Sequence, residues 1–170
     1  MFERFGEFDS YEEINKKAAE LLAAADTDGV RKLAEENGLD PVDAEDYITG
    51  AEEMLCSELM AALGKLDIEA AYLETGGILK IWVDYIREMC TAIPGMAEAV
   101  RKKGKSLDKC MSKMIRFSFE NKVKVSDKIV NITKVTRNGK EEQMRGPLYI
   151  GFPDMAGAKR LIREYYMGKG

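Results

Sequence analysis

The stretch from Ile78 to Ile93 constrains this chain more than any other. Ile78, Leu79, Ile81, Trp82, Tyr85, Ile86, Met89 and Cys90 cover most of the circumference of a helix, and Lys80, Asp84 and Glu88 mark its single wet face. A helix apolar nearly all round has to be enclosed by other elements. It is therefore expected at the centre of the core, with Pro94-Gly95 ending it.

The rest of the chain supplies amphipathic helices able to cover it. Ser10 and Glu13 form an S-x-x-E capping box, after which Ile14, Ala18, Leu21, Leu22 and Ala25 recur at helical spacing. A second helix follows Asp26-Thr27-Asp28, buries Val30, Leu33 and Ala34, and ends at Gly38. Asp40 and Pro41 supply the cap and first position of a third, expected to run to Leu63 and stop at Gly64. Its stripe would be Ala44, Tyr47, Ile48, Ala51, Met54, Leu55, Leu59 and Leu63, with Gly50 a soft point. Ser106 opens a helix through about Glu120 whose inner face is Leu107, Cys110, Met111, Met114 and Ser118.

Later the pattern changes. Ser126-Asp127 caps a short helix through Ile132, Asn138-Gly139 signals a hairpin, and Leu148-Tyr149-Ile150 reads as a strand. Asp154 caps a last helix with Met155, Ala158, Leu161, Ile162 and Tyr165 inward. The expectation is one mainly α domain over residues 1–170, a helical bundle with a small β-hairpin element near the C-terminus (α+β).

Charge divides the chain. Residues 1–75 hold 20 acids and 6 bases, whereas residues 76–170 hold 10 acids and 20 bases, so the overall net of −4 describes neither part. An acidic helical part joined to a basic part points to charged macromolecular partners. Within 101–128, ten Lys/Arg face three acids. Arg101, Lys102, Lys103, Lys105, Lys109, Lys113 and Arg116 are candidates for contact with nucleic acid or an acidic partner, the last three spaced four and three apart on one helix face. The alternatives are a solvated helix face or a partner for the chain's own acidic half. Phe117 and Phe119 lie beside this ridge, either as core or as base-stacking groups. Glu35, Glu36, Asp40, Asp43, Glu45 and Asp46 crowd around one helix start. The helix dipole accounts for some of them, and a protein-binding acidic face is the functional reading of the surplus.

Several chemistries lack their residues. There is no histidine, hence no Ser-His or Cys-His pair, and no C-x-x-C spacing to hold zinc. Gly104-Lys105-Ser106 has Ala99 where a phosphate-binding loop needs its first glycine. No catalytic residue, metal or cofactor is expected, and the chain reads as a non-enzyme. Cys56, Cys90 and Cys110 sit in apolar contexts as reduced core thiols, and the ten methionines read as core filling. No apolar run approaches the roughly 20 residues of a membrane span. Met1-Phe2-Glu3-Arg4-Phe5 lacks the pattern of a secretory signal, so a cytoplasmic protein is expected.

Lys105-Ser106-Leu107-Asp108-Lys109-Cys110-Met111, followed by Ser126-Asp127-Lys128-Ile129-Val130, resembles the PcfK-like accessory proteins of conjugative elements in gut bacteria. The front, Phe2-Glu3-Arg4-Phe5-Gly6-Glu7-Phe8, with Glu35-Glu36-Asn37-Gly38 and Asp43-Ala44-Glu45-Asp46-Tyr47, resembles uncharacterised proteins of Clostridia mobile elements, as does Lys159-Arg160-Leu161-Ile162-Arg163-Glu164-Tyr165-Tyr166. The resemblance implies the company of conjugation, phage and counter-defence genes, including anti-CRISPR proteins that bind Cas9. It thereby implies an anti-CRISPR-type inhibitor whose acidic face docks on Cas9 or its nucleic-acid complex. The alternative is a DNA-binding accessory protein of conjugation working through the basic helix face.

Overall fold

In the computed structural model, which describes residues 2–168, the chain runs α1 (Tyr11–Ala23), α2 (Thr27–Glu36), α3 (Pro41–Thr49), α4 (Glu58–Tyr72), α5 (Ile78–Ala92), α6 (Met96–Arg101), α7 (Leu107–Glu120), β1 (Val123–Lys124), α8 (Asp127–Val130), β2 (Lys134–Arg137), β3 (Lys140–Gln143), β4 (Tyr149–Ile150) and α9 (Met155–Tyr166). The fold is mainly α with small antiparallel β elements toward the C-terminus, as the sequence predicts.

Two apolar cores share α4. The first gathers Ile14, Ala18, Val30, Leu33, Ala44 and Tyr47 of α1–α3 with Leu55, Cys56 and Ala61. The second packs Trp82, Val83, Ile86 and Met89 of α5 against Ala62 and Leu66 of α4, Met96 and Val100 of α6, Leu107 and Met114 of α7, and Ile162 of α9. The most apolar helix is thus enclosed, and only Ile81 departs from the expectation, at 46% exposed. Consecutive residues Ala61 and Ala62 face different cores, which makes α4 the shared wall.

The expected long third helix is two helices. Gly50 takes a left-handed conformation (φ 79°) and ends α3, which leaves Ala51 and Met54 exposed in the connection to Ser57, the cap of α4. Gly64 does not stop a helix; it is buried inside α4, where its missing side chain lets the 37–38 turn touch the helix backbone. Met155, expected inward on α9, is 59% exposed.

The hairpin forms where Asn138-Gly139 predicts it. Both residues have positive φ (51° and 76°), as a two-residue turn joining β2 to β3 requires, and Arg137 pairs with Lys140. The strand at Tyr149–Ile150 pairs instead with Val123–Lys124, antiparallel, immediately after α7.

Candidate nucleic-acid interface

The start of α7 is fixed by buried charge. Lys65, in the middle of α4, is fully buried, and its ammonium donates to Glu7 Oε1 (2.6 Å) and to the carbonyls of Lys102 (3.1 Å) and Lys105 (2.6 Å). These carbonyls follow the C-terminus of α6, where a cation offsets the partial negative charge of the helix end. Glu69, one turn along α4 and 4% exposed, accepts from the Leu107 amide at the first position of α7 (3.0 Å). That amide is one of the helix's unpaired N-terminal donors, so Glu69 takes over the capping expected of Ser106, whose hydroxyl donates to Asp108 instead. The Tyr165 hydroxyl accepts from the Ser106 amide (2.8 Å) and Asp9 accepts from the Lys103 amide (2.8 Å). The 102–107 connection is therefore held from four directions, and α7 is rigidly presented.

On α7, Leu107, Cys110, Met111, Met114 and Ser118 are buried, and Lys109, Lys113 and Arg116 are exposed on the opposite side. The ridge read from the sequence exists. Lys109 Nζ donates to the Gly104 carbonyl (3.1 Å), Lys113 Nζ stands 5.1 Å from the centre of the Tyr165 ring, and Arg116, 71% exposed, lies 3.9 Å from Glu120. Lys105 is half-buried; its ammonium donates to the Tyr165 carbonyl (2.7 Å) and lies 5.0 Å from the same ring. Lys102 pairs with Glu98 (3.3 Å), and Lys103 is exposed beside it.

Arg101 is a correction. It is 1% exposed, turned inward because it falls four residues after Ala97 on the buried side of α6. Its Nη2 donates to Asn37 Oδ1 (2.8 Å) and its guanidinium lies 5.7 Å from the Phe2 ring, while Nε and Nη1 find no partner among the described residues. Burial lowers its pKa from the usual guanidinium value. It cannot meet a phosphate without opening the core.

The acidic cluster also divides. Glu36 is 8% exposed and accepts from the amides of Arg4 (2.9 Å) and Phe5 (3.1 Å), so it latches the N-terminal segment and offers nothing to a partner, contrary to expectation. Asp40 caps α3 through the Val42 amide (2.9 Å). Glu45 binds Arg31 through both oxygens (2.6 and 3.2 Å), and that guanidinium holds its carboxyl below the usual range. Glu35 pairs with Lys32 (3.0 Å), and Asp43 and Asp46 are half-buried. Between α2 and α3 a groove of about 350 Å³ is lined by the apolar Ala34, Leu39, Pro41 and Ala44 and by the charged Arg31, Glu35 and Glu45.

Sequence reasoning missed the corner beyond the ridge, where Tyr149, Lys122 and Lys124 meet the end of α7. Only the β1–β4 pairing brings them together, and two-residue strands leave no periodic signal. Phe119, in the last turn of α7, is 70% exposed, whereas Phe117 is half-buried. All three cysteines are buried and unpaired, and burial pushes each thiol up to about 12. Among the described residues no helix is long and apolar enough to cross a membrane. The chain matches no protein-family model, no curated protein and no solved structure.

Proposed function

We propose that this protein acts by binding rather than by catalysis, and that its α7 ridge contacts a nucleic-acid backbone, in the manner of an accessory protein for DNA handling on a mobile element. The carrying observation is the exposed line Lys109, Lys113, Arg116 on a helix whose start is locked by Lys65, Glu69 and Tyr165. A fixed row of cations matched to a phosphate backbone gains affinity by releasing counterions, and it gains more when no ordering is needed first. The test is retardation of labelled single- and double-stranded DNA across a salt series. Binding that weakens steeply with salt and disappears in Lys109→Glu/Lys113→Glu, with unfolding unchanged, is the expected result. Absence of binding to either form at low salt would sink the proposal.

A second reading, inhibition of Cas9 or its nucleic-acid complex, draws on the groove between α2 and α3. Its apolar residues would take aliphatic side chains, and Glu35 and Glu45, each already paired with a cation of α2 (Lys32 and Arg31), would exchange those partners for basic groups of an incoming segment. A Cas9 cleavage assay titrated with the protein distinguishes it: inhibition near equimolar ratio, lost in Glu35→Gln/Glu45→Gln, supports this reading, and full cleavage with no co-elution eliminates it.

A further inference from the structure

We propose that the corner where α7 meets the β1–β4 pair is a stacking platform for single-stranded nucleic acid. The inference rests on the reading of the ridge as a nucleic-acid contact and narrows its substrate to unpaired strands.

Two exposed aromatic rings belong to the elements that meet there, the end of α7 and β4. Phe119, 70% exposed, follows Arg116 by three residues, the spacing that makes helical neighbours. Tyr149, 49% exposed, pairs across the sheet with Lys124, so their side chains share one face of the pleat. Lys122, just before β1, has its ammonium 6.0 Å from the centre of the Tyr149 ring.

The corner is also rigid. Gly151 packs so closely on the end of α7 that an added Cβ would meet the Ser118 carbonyl and lie 2.8 Å from Lys122 Cα. The β4 backbone is thereby held against the residues that follow the ridge.

A duplex has no use for such rings, because its bases are already stacked on one another and present only edges in the grooves. An unpaired strand has both a π-face on every base and a phosphate at every step, which is the pairing of groups this corner offers. Its phosphates would run along Arg116, Lys122 and Lys124, displacing Asp127 from Lys124 (2.7 Å) and Glu120 from Arg116 (3.9 Å), while bases stack on Phe119 and Tyr149. An acidic protein would use the lysines and leave the rings wet.

The experiment is fluorescence anisotropy with a labelled pyrimidine-rich DNA of about 16 nucleotides, alone and annealed to its complement, at about 50 mM salt. The single strand should bind at least about tenfold more tightly than the duplex. Phe119→Ala and Tyr149→Ala should each weaken single-strand binding roughly five- to hundredfold while leaving duplex binding and the salt dependence in place. Phe119→Leu/Tyr149→Leu, which keeps apolar bulk and removes the rings, should lose the same preference. Tyr72→Ala, the same truncation at an exposed tyrosine of the acidic half, should change nothing. Equal affinity for both forms, with the ring variants unchanged, would overturn the platform and leave the ridge standing. Failure of both forms to bind would overturn both, leaving an acidic protein as the partner for the cations.

Discussion

Replacing Gly64 by alanine tests how closely α4 must approach the 37–38 turn. Inside a helix alanine is favoured over glycine by about 1 kcal/mol, so propensity alone predicts a more stable protein. The packing predicts the opposite. A Cβ on Gly64 would lie 2.9 Å from the Gly38 carbonyl oxygen and 3.0 Å from its carbon, and would press still harder on the Asn37 oxygen. All three are backbone atoms, so no side chain can rotate out of the way. Gly38 itself has φ +67° and sits against Gly64 in turn, and fully buried Asn37 holds Arg101 at 2.8 Å. Restoring ordinary contact requires the turn to retreat, breaking that bond or straining it. Overpacking of this kind costs roughly 1–3 kcal/mol, and rigid backbone on the other side places it at the upper end. Net of propensity, Gly64→Ala should destabilise by about 2 kcal/mol, lowering the thermal midpoint by about 4–8 °C for a chain of this size. Far-UV circular dichroism during heating reads it directly. Gly76→Ala, where a Cβ meets nothing within 4 Å, should be neutral or slightly stabilising. A midpoint for Gly64→Ala equal to or above that of the parent would refute the close-approach argument.

Glu69 should give the protein a pH-dependent stability. Burial raises its pKa from 4.5 to about 7, so the folded state keeps a proton that the unfolded state gives up; the stabilisation is complete below pH about 4.5 and is lost as pH rises through about 7. Urea unfolding between these limits should lose on the order of 3 kcal/mol through this group, and Glu69→Gln, which can still accept from Leu107, should flatten that slope. Arg101→Met should leave DNA affinity unchanged where Lys109→Glu does not, because among the described residues the buried guanidinium donates only to Asn37 and does not reach the surface. Loss of binding in Arg101→Met with an unchanged unfolding curve would contradict its placement. A disulfide reagent such as DTNB at pH 8 should label none of Cys56, Cys90 and Cys110 in the folded protein and all of them in denaturant, since each is buried and shifted up to about 12.

What the chain determined by itself was local. The wrapping of apolar residues around 78–93 required an enclosed helix, Ser10, Asp40 and Asp154 marked helix starts, and Asn138-Gly139 fixed a hairpin, because caps, turns and periodicity act over one or two turns of chain. The spacing of Lys109, Lys113 and Arg116 placed them on one face opposite a stripe of apolar residues, which sequence alone can read.

Tertiary structure decided everything that depended on who the neighbour is. Gly64 reads equally as a helix stop or as a close-packing site until the 37–38 turn arrives against it. Glu36 and Arg101 look like surface charges in a run of charges, yet each was turned inward by the apolar residues a turn away and then given partners from the far N-terminal segment or from α2's end. Lys65 and Glu69 carried no signal at all, because a buried polar group is tolerable only when distant carbonyls and amides converge on it. The same holds for Tyr149 beside Lys122: a two-residue strand finds its partner through the path of the intervening chain, and no pattern within either strand records where that path returns.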